Sequence, residues 1–421
     1  MLIKLPIIVI SIFLFSQCLG PYTKDTQKLR PLEYENEWDA MRNLDFDHLD
    51  TFDLSIDEKN FKDALKKVMK AEYHKAKEIM KPIYMHTKDS TTKHYATQVL
   101  TDLLFFESNW DAILENYLKY TDDLEDTDNI MVSVEAFSNA PKEKMIWEQD
   151  SFRVHTMQSV SGSPLIEVEI NGHPFWFWVD TGANYSVIAS DAAEICNITP
   201  LTFERSKALT ATVLKVNYMP AILEEVQVGG LTVKNHPAII LNDFDLRLRI
   251  FGSNRLTKID GIIGWKMLQN MDITLDYSRS ETIIKKPLTK DPLPKNFFWL
   301  GVPVMRIHSP LGRELFFGID TGLEKTIITK NILEKLYFED VYWITRENLS
   351  AGGAVYNFAN VVRRLDIVID SIPVHIEDVG TGFKLKDYFI KLDGIIGSDL
   401  LQNSILRLNC QNGHFSYRIS E

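Results

Sequence analysis

The chain has 421 residues, of which 45% are hydrophobic and 25% are charged, and its formal net charge is -12. This composition is typical of a folded globular protein and excludes both an intrinsically disordered chain and a polytopic membrane protein. The acidic balance argues against nucleic acid as the main partner, because surfaces that bind nucleic acid are normally basic. The length exceeds that of one ordinary domain and predicts two or three.

The first 18 residues are typical of an export signal. Lys4 precedes an apolar run over residues 5–15, which is too short to span a bilayer comfortably. The run is followed by Ser-Gln-Cys, whose cysteine is Cys18. A cysteine in this place resembles the bacterial lipoprotein signal, in which the cysteine is lipidated and becomes the mature N-terminus. The resemblance implies lipidation of Cys18 and attachment to a membrane of the bacterial cell envelope. Ordinary cleavage and an uncleaved anchor remain open alternatives.

The next segments predict a helical domain between two linkers. Residues 19–54 are expected to be irregular, whereas residues 55–120 carry four apolar stripes at helical intervals, the first after a capping-box pair, Ser55 and Glu58. Four helices with short connections resemble helical hairpins of the tetratricopeptide kind, which implies a protein partner bound by the helices. A helical domain that only packs on the next domain is the open alternative. Residues 121–151 begin with a run of acids and are expected to be a solvated linker.

The remainder of the chain is rich in strand patterns and contains a tandem repeat. Each unit has an apolar strand that ends in Asp-Thr-Gly, at residues 180–182 and 320–322, and a later Asp-Gly-Ile-Ile-Gly segment. The first aspartate and the last glycine are 84 residues apart in unit one (180 to 264) and 77 apart in unit two (320 to 397). The repeat predicts two homologous β lobes side by side, over residues 152–290 and 291–421.

These paired motifs resemble those of the aspartic peptidases, in particular the bacterial retropepsin-like branch. The resemblance covers roughly residues 152–421 and implies a mainly β, bilobal, acid-protease-like double β-barrel preceded by the α-helical domain. It implies an aspartic endopeptidase that uses no cofactor and binds a protein or peptide substrate in extended conformation. No spacing of Cys and His in the sequence is typical of a metal site.

The chemistry of peptide hydrolysis gives Asp180 and Asp320 their expected catalytic role. Two carboxyl groups about 3 Å apart cannot both ionise, so they share one proton and supply one base and one acid. Gly182 and Gly322 are expected to permit the tight turns. The resemblance implies that Thr181 and Thr321 cross-brace the two turns. Two apolar segments, Ile263 with Gly264 and Ile396 with Gly397, are expected to pack beneath the turns.

Two positions depart from the pepsin-like pattern. The residue after Asp-Thr-Gly is usually Ser or Thr there, and its hydroxyl stabilises the ionised carboxylate, but this chain has Ala183 and Leu323. Without these donors the pair should titrate higher than in acid proteases. We therefore expect activity at mildly acid to neutral pH.

Several other residues near the motifs receive a minor role or none. Candidates for a flap over the cleft are Leu214, Gly352 and Gly353. Tyr218 and Tyr356 are expected to be ordinary strand residues, and the resemblance leaves open that one of them is the flap tyrosine of pepsin-like enzymes. Asp260 and Asp393 recur before the two Ile-Ile-Gly segments and are expected to be structural. Glu324, beside the second Asp-Thr-Gly motif, is expected to face solvent.

Alternatives remain for function and for assembly. A non-catalytic peptide-binding or assembly lipoprotein would retain the same fold, although binding alone does not need two buried acids that face each other. Like lobes from two chains would also form a dyad, although two tandem lobes in one chain make this unnecessary. Cys196 and Cys410 are expected either to pair or to be buried free thiols.

Overall fold

The computed structural model of the protein describes residues 27–117, 127–159, 161–203, 206–209, 215–249, 256–288, 292–350, 353–381, 388–402 and 404–420. The signal segment with Cys18 lies outside these residues. Of the flap candidates, Leu214 and Gly352 also lie outside them.

The N-terminal part of the chain is helical. Its helices are α1 (Glu37–Arg42), α2 (Phe46–Leu49), α3 (Ile56–Val68), α4 (Tyr73–His86), α5 (Ser90–Phe106), α6 (Trp110–Tyr117) and α7 (Thr127–Ser138). Helix α3 begins with the predicted capping box, in which Ser55 Oγ accepts from the N–H of Glu58 and the Glu58 carboxylate accepts from the N–H of Ser55. The four helices predicted within residues 55–120 are α3 to α6, and consecutive ones pack against each other. Their likeness to tetratricopeptide hairpins stays a prediction.

The two expected linkers contain regular structure, which corrects the sequence interpretation. Residues 19–54 include strand β1 (Gln27–Leu29) and helices α1 and α2, which form because the side chains of Asn36 and Asp45 cap their first turns. Residues 121–151 include α7 and strand β2 (Lys144–Trp147). Val134 and Phe137 bury one face of α7, and the preceding acidic run concealed this apolar spacing. The domain boundaries themselves stay predictions.

The first lobe is a closed β-barrel. Its six barrel strands run in the order β4-β5-β12-β6-β9-β8, and β8 pairs with β4 to close the ring. The elements of this lobe are β3 (Ser151–Gln158), β4 (Pro164–Ile170), β5 (His173–Val179), β6 (Ser186–Ala189), α8 (Ser190–Ile195), β7 (Ser206–Leu209), β8 (Lys215–Val228), β9 (Leu231–Leu241), β10 (Arg247–Arg249), β11 (Leu256–Lys258), β12 (Gly261–Ile263), α9 (Trp265–Leu268), β13 (Asp272–Asp276) and β14 (Glu281–Lys285).

The second lobe repeats the same topology. Its barrel order is β16-β17-β23-β18-β22-β21, and β21 pairs with β16. The elements are β15 (Phe297–Trp299), β16 (Pro303–His308), β17 (Glu314–Ile319), β18 (Ile327–Ile328), α10 (Lys330–Lys335), β19 (Leu336–Phe338), β20 (Val341–Ser350), β21 (Gly353–Ile369), β22 (Ile372–Thr381), β23 (Gly394–Ile396), a 3-10 turn (Ser398–Leu400), β24 (Ser404–Asn409) and β25 (His414–Ile419). The predicted fold class, a bilobal double β-barrel after a helical region, is confirmed.

The Ile-Ile-Gly segment of each unit is threaded between two strands of its own lobe. Strand β12 runs parallel to β5 and antiparallel to β6, and β23 lies in the same way between β17 and β18. The first residue of each threaded strand is a glycine because an aromatic ring occupies the space of its side chain. A Cβ at Gly261 would lie 2.2 Å from the Phe177 ring, and one at Gly394 would lie 2.3 Å from the Phe317 ring.

The two lobes share one antiparallel sheet. Strand β13 of the first lobe pairs with β24 of the second along its whole length, and β14 and β25 flank them. The guanidinium of Arg407 in β24 binds both carboxylate oxygens of Asp272 in β13, at 2.8 and 2.5 Å. The lobes therefore sit on a common base, and their two Asp-Thr-Gly turns meet above it.

The helical region packs against both lobes. At the end of α5 the carbonyl of Phe106 accepts from the side chains of Lys266 at 3.1 Å and Gln269 at 2.8 Å, both in the first lobe. On the second lobe, Trp299 donates its backbone N–H to the Tyr73 hydroxyl at 2.9 Å and its indole N–H to the carbonyl of Asp102 at 3.1 Å. Aromatic and amide contacts thus attach the helices to the barrels.

Two further features concern the described part of the chain. None of its helices has the length and apolar character needed to cross a membrane. Cys196 and Cys410 are both buried as free thiols, which decides between the two alternatives that the sequence left open.

Candidate active site

The first Asp-Thr-Gly turn follows β5 and is fixed by backbone hydrogen bonds. The N–H of Asp180 donates to the carbonyl of Ile263 in the threaded strand at 3.0 Å. The Asp180 carboxylate oxygen Oδ1 accepts from the N–H of Gly182 at 2.8 Å and of Ala183 at 3.2 Å. A carboxylate at the end of an apolar strand is therefore partly compensated by the amides of its own turn.

The second turn repeats this arrangement. The N–H of Asp320 donates to the carbonyl of Ile396 at 3.0 Å. Asp320 Oδ1 accepts from the N–H of Gly322 at 2.9 Å and of Leu323 at 3.0 Å. The two aspartates thus occupy equivalent positions in the two lobes.

The two carboxyl groups face each other across the junction of the lobes and are hydrogen-bonded to each other. Each lies against the glycine of the opposite turn. A Cβ at Gly182 would lie 2.3 Å from Cγ of Asp320, and one at Gly322 would lie 2.5 Å from Oδ2 of Asp180. Only a residue without a side chain fits at these two positions, which is a different reason for glycine from the tight turn that the sequence suggested.

The threonines cross-brace the turns. The N–H of Thr181 donates to Oγ1 of Thr321 at 3.1 Å, and the N–H of Thr321 donates to Oγ1 of Thr181 at 3.0 Å. Each hydroxyl in turn donates to a carbonyl of the opposite lobe, Thr181 to Ile319 at 2.9 Å and Thr321 to Val179 at 2.6 Å. Both threonines are at most 1% exposed, so these bonds form away from water.

The floor of the site contains hydroxyl residues that sequence reasoning missed. Ile263 and Ile396 are buried beside the turns as expected. The glycines after them donate their N–H groups to side-chain oxygens, Gly264 to Ser186 Oγ at 3.1 Å and Gly397 to Thr326 Oγ1 at 3.0 Å. Their signal was present in the repeat, since Ser186 and Thr326 each stand six positions after the aspartate of their unit.

Burial raises the pKa of both aspartates above the ordinary value. For Asp320 the nearby negative charge of Asp180 raises the pKa further, whereas hydrogen bonds from Asp320 and the turn amides limit the rise for Asp180. The pair therefore shares one proton over a pH range above that of ordinary carboxyl groups. This direction agrees with the expectation drawn from Ala183 and Leu323.

The neighbouring acids differ in their surroundings. Asp393 is fully buried and accepts from the backbone of Phe316 at 2.8 Å, from Asn331 at 2.8 Å and from Lys335 at 2.9 Å. Asp260 is partly exposed, and its carboxylate lies 3.3 Å from the ammonium of Lys258. Asp393 and Asp260 therefore both have partners outside the catalytic pair. Glu324 is exposed to solvent.

The segments that contain the flap candidates belong to two hairpins, and their role as flaps stays a prediction. Strands β7 and β8 form one, and β20 and β21 form the other, where Gly353 pairs with Ser350. Tyr218 in β8 is buried, and its hydroxyl lies 2.7 Å from the hydroxyl of Ser133 in α7. Tyr218 thus has a packing role, and the side chain of Tyr356 lies outside the described ones. Within the described residues, no group of three or more His, Cys, Asp or Glu side chains is placed to hold a metal ion.

Comparisons with known proteins agree with this geometry in the first lobe. Residues 166–270, which include the Asp180 turn and the threaded strand β12, match a family model described as gag-polyprotein putative aspartyl protease. No curated protein matches the chain.

Two solved structures are similar to the chain at low identity. One is a retropepsin-like aspartic protease from Rickettsia conorii, with 14% identity and a TM-score of 0.23, covering 34% of this chain and 93% of that chain. The other is an aspartic proteinase from Irpex lacteus, with 10% identity and a TM-score of 0.41, covering 64% of this chain and 98% of that chain.

The class of fold is defined by the chain's own topology. Two closed barrels each thread an Ile-Ile-Gly strand beside an Asp-Thr-Gly turn, and the two turns meet at the lobe junction. This is the retropepsin-like and pepsin-like aspartyl protease fold, with a helical region before it.

Proposed function

We propose that the protein is an aspartic endopeptidase in which Asp180 and Asp320 activate a water molecule to hydrolyse peptide bonds. The observation that carries the proposal is the pair of facing, hydrogen-bonded carboxyl groups, each held by the amides of its own turn. Two buried acids in contact destabilise a fold, so their presence is best explained by chemistry that needs one base and one acid.

The two acids share one proton, so one member of the pair starts ionised and the other protonated. The ionised member takes a proton from water, whose oxygen bonds to the carbonyl carbon of the substrate. The protonated member gives its proton to the carbonyl oxygen, which yields a neutral tetrahedral intermediate with two hydroxyl groups. In the second step the member that gave its proton takes one back from a hydroxyl, the other gives its proton to the amide nitrogen, and the C–N bond breaks. The products are a carboxylic acid and an amine, and the pair again holds one proton.

The expected substrate is an extended segment of a protein. Each lobe has a hairpin that ends its sheet, β7–β8 in the first lobe and β20–β21 in the second, and both β7 and β20 are terminal strands. Terminal strands offer backbone N–H and C=O groups to which an extended peptide can add. A strand-like substrate would place one peptide bond at the dyad, with side-chain pockets on either side setting the specificity.

The decisive experiment incubates a soluble form, residues 19–421, with a diverse peptide mixture from pH 3 to pH 8. Asp180→Asn and Asp320→Asn are tested beside it, and inhibition by a pepstatin-type statine compound is the second readout. Loss of cleavage with either substitution is the expected result. Loss with Asp180→Asn alone would assign catalysis to like lobes paired between chains. No cleavage by a folded wild-type protein would favour the non-catalytic peptide-binding alternative.

We also propose that the enzyme is held at a membrane of the bacterial envelope through lipid on Cys18, and that its helices bind a protein partner. The support for the anchor is the sequence of residues 1–18, and that for the partner is the helical-hairpin likeness of α3 to α6. Incorporation of labelled fatty acid into the wild-type chain, and its loss in Cys18→Ala, would test the anchor. Affinity capture with Cys18→Ala, compared with a variant altered on exposed α3 and α4 side chains, would test the partner.

A further inference from the structure

One peptide unit of the first lobe links the catalytic turn to a buried polar chain. The carbonyl of Ile263 accepts from the N–H of Asp180 at 3.0 Å, and the N–H of the same peptide unit, on Gly264, donates to Ser186 Oγ at 3.1 Å. The orientation of this peptide unit therefore fixes the backbone of Asp180. A group that fixes the Ser186 hydroxyl therefore also fixes the peptide unit that accepts from the N–H of Asp180.

The Ser186 hydroxyl is held by a histidine and a glutamate. Ser186 Oγ lies 2.8 Å from Nε2 of His236 in β9, and Nδ1 of His236 is hydrogen-bonded to the carboxylate of Glu143. The His236 side chain is 0% exposed, Ser186 is 1% exposed and the Glu143 side chain is 13% exposed. The hydroxyl is thus closed off from solvent, so it has no access to a substrate and its function is structural.

The positions of the partners set the direction of the hydrogen bonds. In the neutral ring, Nδ1 carries its proton toward the Glu143 carboxylate, which leaves Nε2 as an acceptor. The Ser186 hydroxyl then donates to Nε2 and accepts from the N–H of Gly264. All of these bonds point in one sense, from Gly264 through Ser186 and His236 to Glu143, so each strengthens the next.

In the second lobe, a single carboxylate holds the hydroxyl that accepts from the corresponding glycine N–H. The N–H of Gly397 donates to Thr326 Oγ1 at 3.0 Å, and the Thr326 hydroxyl donates to Oδ1 of Asp399 at 2.8 Å. Asp399 lies two residues after Gly397, within its own lobe, and also accepts from the N–H of Thr326 at 2.9 Å. The first lobe has Lys266 at the corresponding place and obtains its carboxylate from elsewhere.

That carboxylate comes from outside the barrel. Glu143 stands between helix α7 and strand β2, and the pairing of β2 with β9 brings it beside His236. It lies upstream of residues 166–270, the segment that matches the aspartyl protease family model. The segment that joins the helices to the first lobe therefore supplies the final group of the chain. Its charge also acts on the buried Lys266 ammonium, which donates to the carbonyl of Phe106 at the end of α5.

We propose that Glu143 and His236 are positioning residues for Asp180, acting through Ser186 and the peptide unit of Ile263 and Gly264. The inference rests on the proposed aspartic peptidase activity. Loss of either residue frees the Ser186 hydroxyl to rotate, loosens the peptide unit and displaces the Asp180 turn relative to Asp320. The bound substrate still contacts the hairpins and pockets, so kcat falls while KM changes little.

The kinetic test compares Glu143→Leu and His236→Leu with the full-length wild type. We expect kcat to fall by about 10-fold to 100-fold at constant KM, the range expected when a reacting group is misplaced by a fraction of an ångström to 1 Å. Glu143→Gln should recover most of the activity, because its amide oxygen still accepts from Nδ1. Ser186→Thr should remain active, because Thr326 performs the same task in the second lobe, whereas Ser186→Ala should not. Glu148→Leu, an exposed acid of the same segment, is the matched control.

Amide hydrogen–deuterium exchange keeps the test independent of activity. In Glu143→Leu and His236→Leu we expect faster exchange in peptides that contain Asp180 and Gly264, and unchanged exchange in those that contain Asp320 and Gly397. Faster exchange throughout the first lobe, with kcat and KM both altered, would assign the pair to general stability and overturn the proposal. Unchanged exchange at Gly264 would overturn it as well. A wild type that cleaves nothing would refute the proposed function, and the exchange data would still decide whether Glu143 orders the Asp180 turn.

Discussion

Thr181 and Thr321 each donate a backbone N–H to the other's hydroxyl, at 3.1 and 3.0 Å, across the junction of the two lobes. Each hydroxyl donates a hydrogen bond to a carbonyl of the opposite lobe. The four bonds are buried, and they join the turns that carry Asp180 and Asp320. The relative position of the two carboxyl groups is therefore fixed by the threonine cross-brace and not by the aspartate side chains alone.

Thr181→Val should destabilise the protein and reduce its activity. The substitution keeps the shape of the side chain but leaves the N–H of Thr321 and the carbonyl of Ile319 buried without partners, at a cost of roughly 2–4 kcal/mol in the free energy of unfolding. Urea unfolding of Thr181→Val beside Thr181→Ser measures this, because the serine keeps the hydroxyl. Equal stability of the two variants would contradict the role of the cross-brace.

Asp320→Asn should abolish peptide hydrolysis and stabilise the fold at neutral pH. Burial and the charge of Asp180 raise the pKa of Asp320, so the folded state binds more protons than the unfolded state above the ordinary carboxyl pKa. Its contribution to stability is therefore present at low pH and is lost as the pH rises through the raised folded pKa. Thermal unfolding at pH 4 and pH 7 tests this, with the exposed Asp340→Asn as control. A lower midpoint at pH 7 for Asp320→Asn would refute the argument.

Gly182→Ala should inactivate the enzyme with little change in its strands. The added Cβ would lie 2.3 Å from Cγ of Asp320 and must displace that carboxyl group. We expect kcat to fall by about 100-fold or more. Gly318→Ala is the matched control, because its Cβ would come no closer than 3.4 Å to any neighbour. Similar kcat values in both variants would show that the carboxyl groups tolerate displacement.

Ala183→Ser should shift the pH–activity profile to lower pH. A serine hydroxyl at this position can donate to the Asp180 carboxylate, which favours the ionised form and lowers its pKa. The acid limb of kcat/KM should move down, and Leu323→Ser should act in the same direction through Asp320. Peptide cleavage measured from pH 3 to pH 8 gives the profile, with Ala183→Val as a control that adds bulk without a donor. An unchanged acid limb in the serine variants would remove the hydroxyl explanation for a raised pH range.

Lys266→Met should change how stability depends on pH. Burial lowers the pKa of Lys266 to about 7, and the charges of Glu143 and Glu107 oppose this shift. Between pH 7 and its ordinary pKa of 10.5, the unfolded state binds more protons at this residue, so stability should rise with pH by up to about 1.4 kcal/mol per unit. Denaturant unfolding at pH 7, 8 and 9 compares the wild type with Lys266→Met, and with the exposed Lys59→Met as control. Parallel pH profiles for wild type and Lys266→Met would refute the prediction.

The sequence predicted the parts of the molecule that the internal repeat encodes. Two copies of Asp-Thr-Gly with two copies of Ile-Ile-Gly indicated two like lobes, and the resemblance of these motifs to those of aspartic peptidases implied that Asp180 faces Asp320. The same resemblance implied the cross-brace between Thr181 and Thr321. The capping box at Ser55 and Glu58 likewise predicted the start of α3, because the signal is local.

What the sequence did not predict depends on contacts between distant segments. His236 carries no motif, and its role follows only from the pairing of β2 with β9, which brings Glu143 within reach. Helix α7 was concealed because the acids before it dominate the local composition, although Val134 and Phe137 are spaced for a buried face. The docking of the helices on both barrels uses single side chains, such as Trp299, that have no periodic signature.

The pairing of β1 with β19 has a consequence for the order of events during synthesis. Residues 27–29 pair with β19 of the second lobe. The ammonium of Lys28 donates to the carboxylate of Glu339, which is 311 residues further along the chain. At about 5–20 residues per second, a ribosome needs about 15–60 s to make the partner strand after the first strand has emerged. During that time the helices have only each other and the first lobe to bind. The first strand of the described residues therefore pairs late, and completion of the fold waits for translation to reach the second lobe.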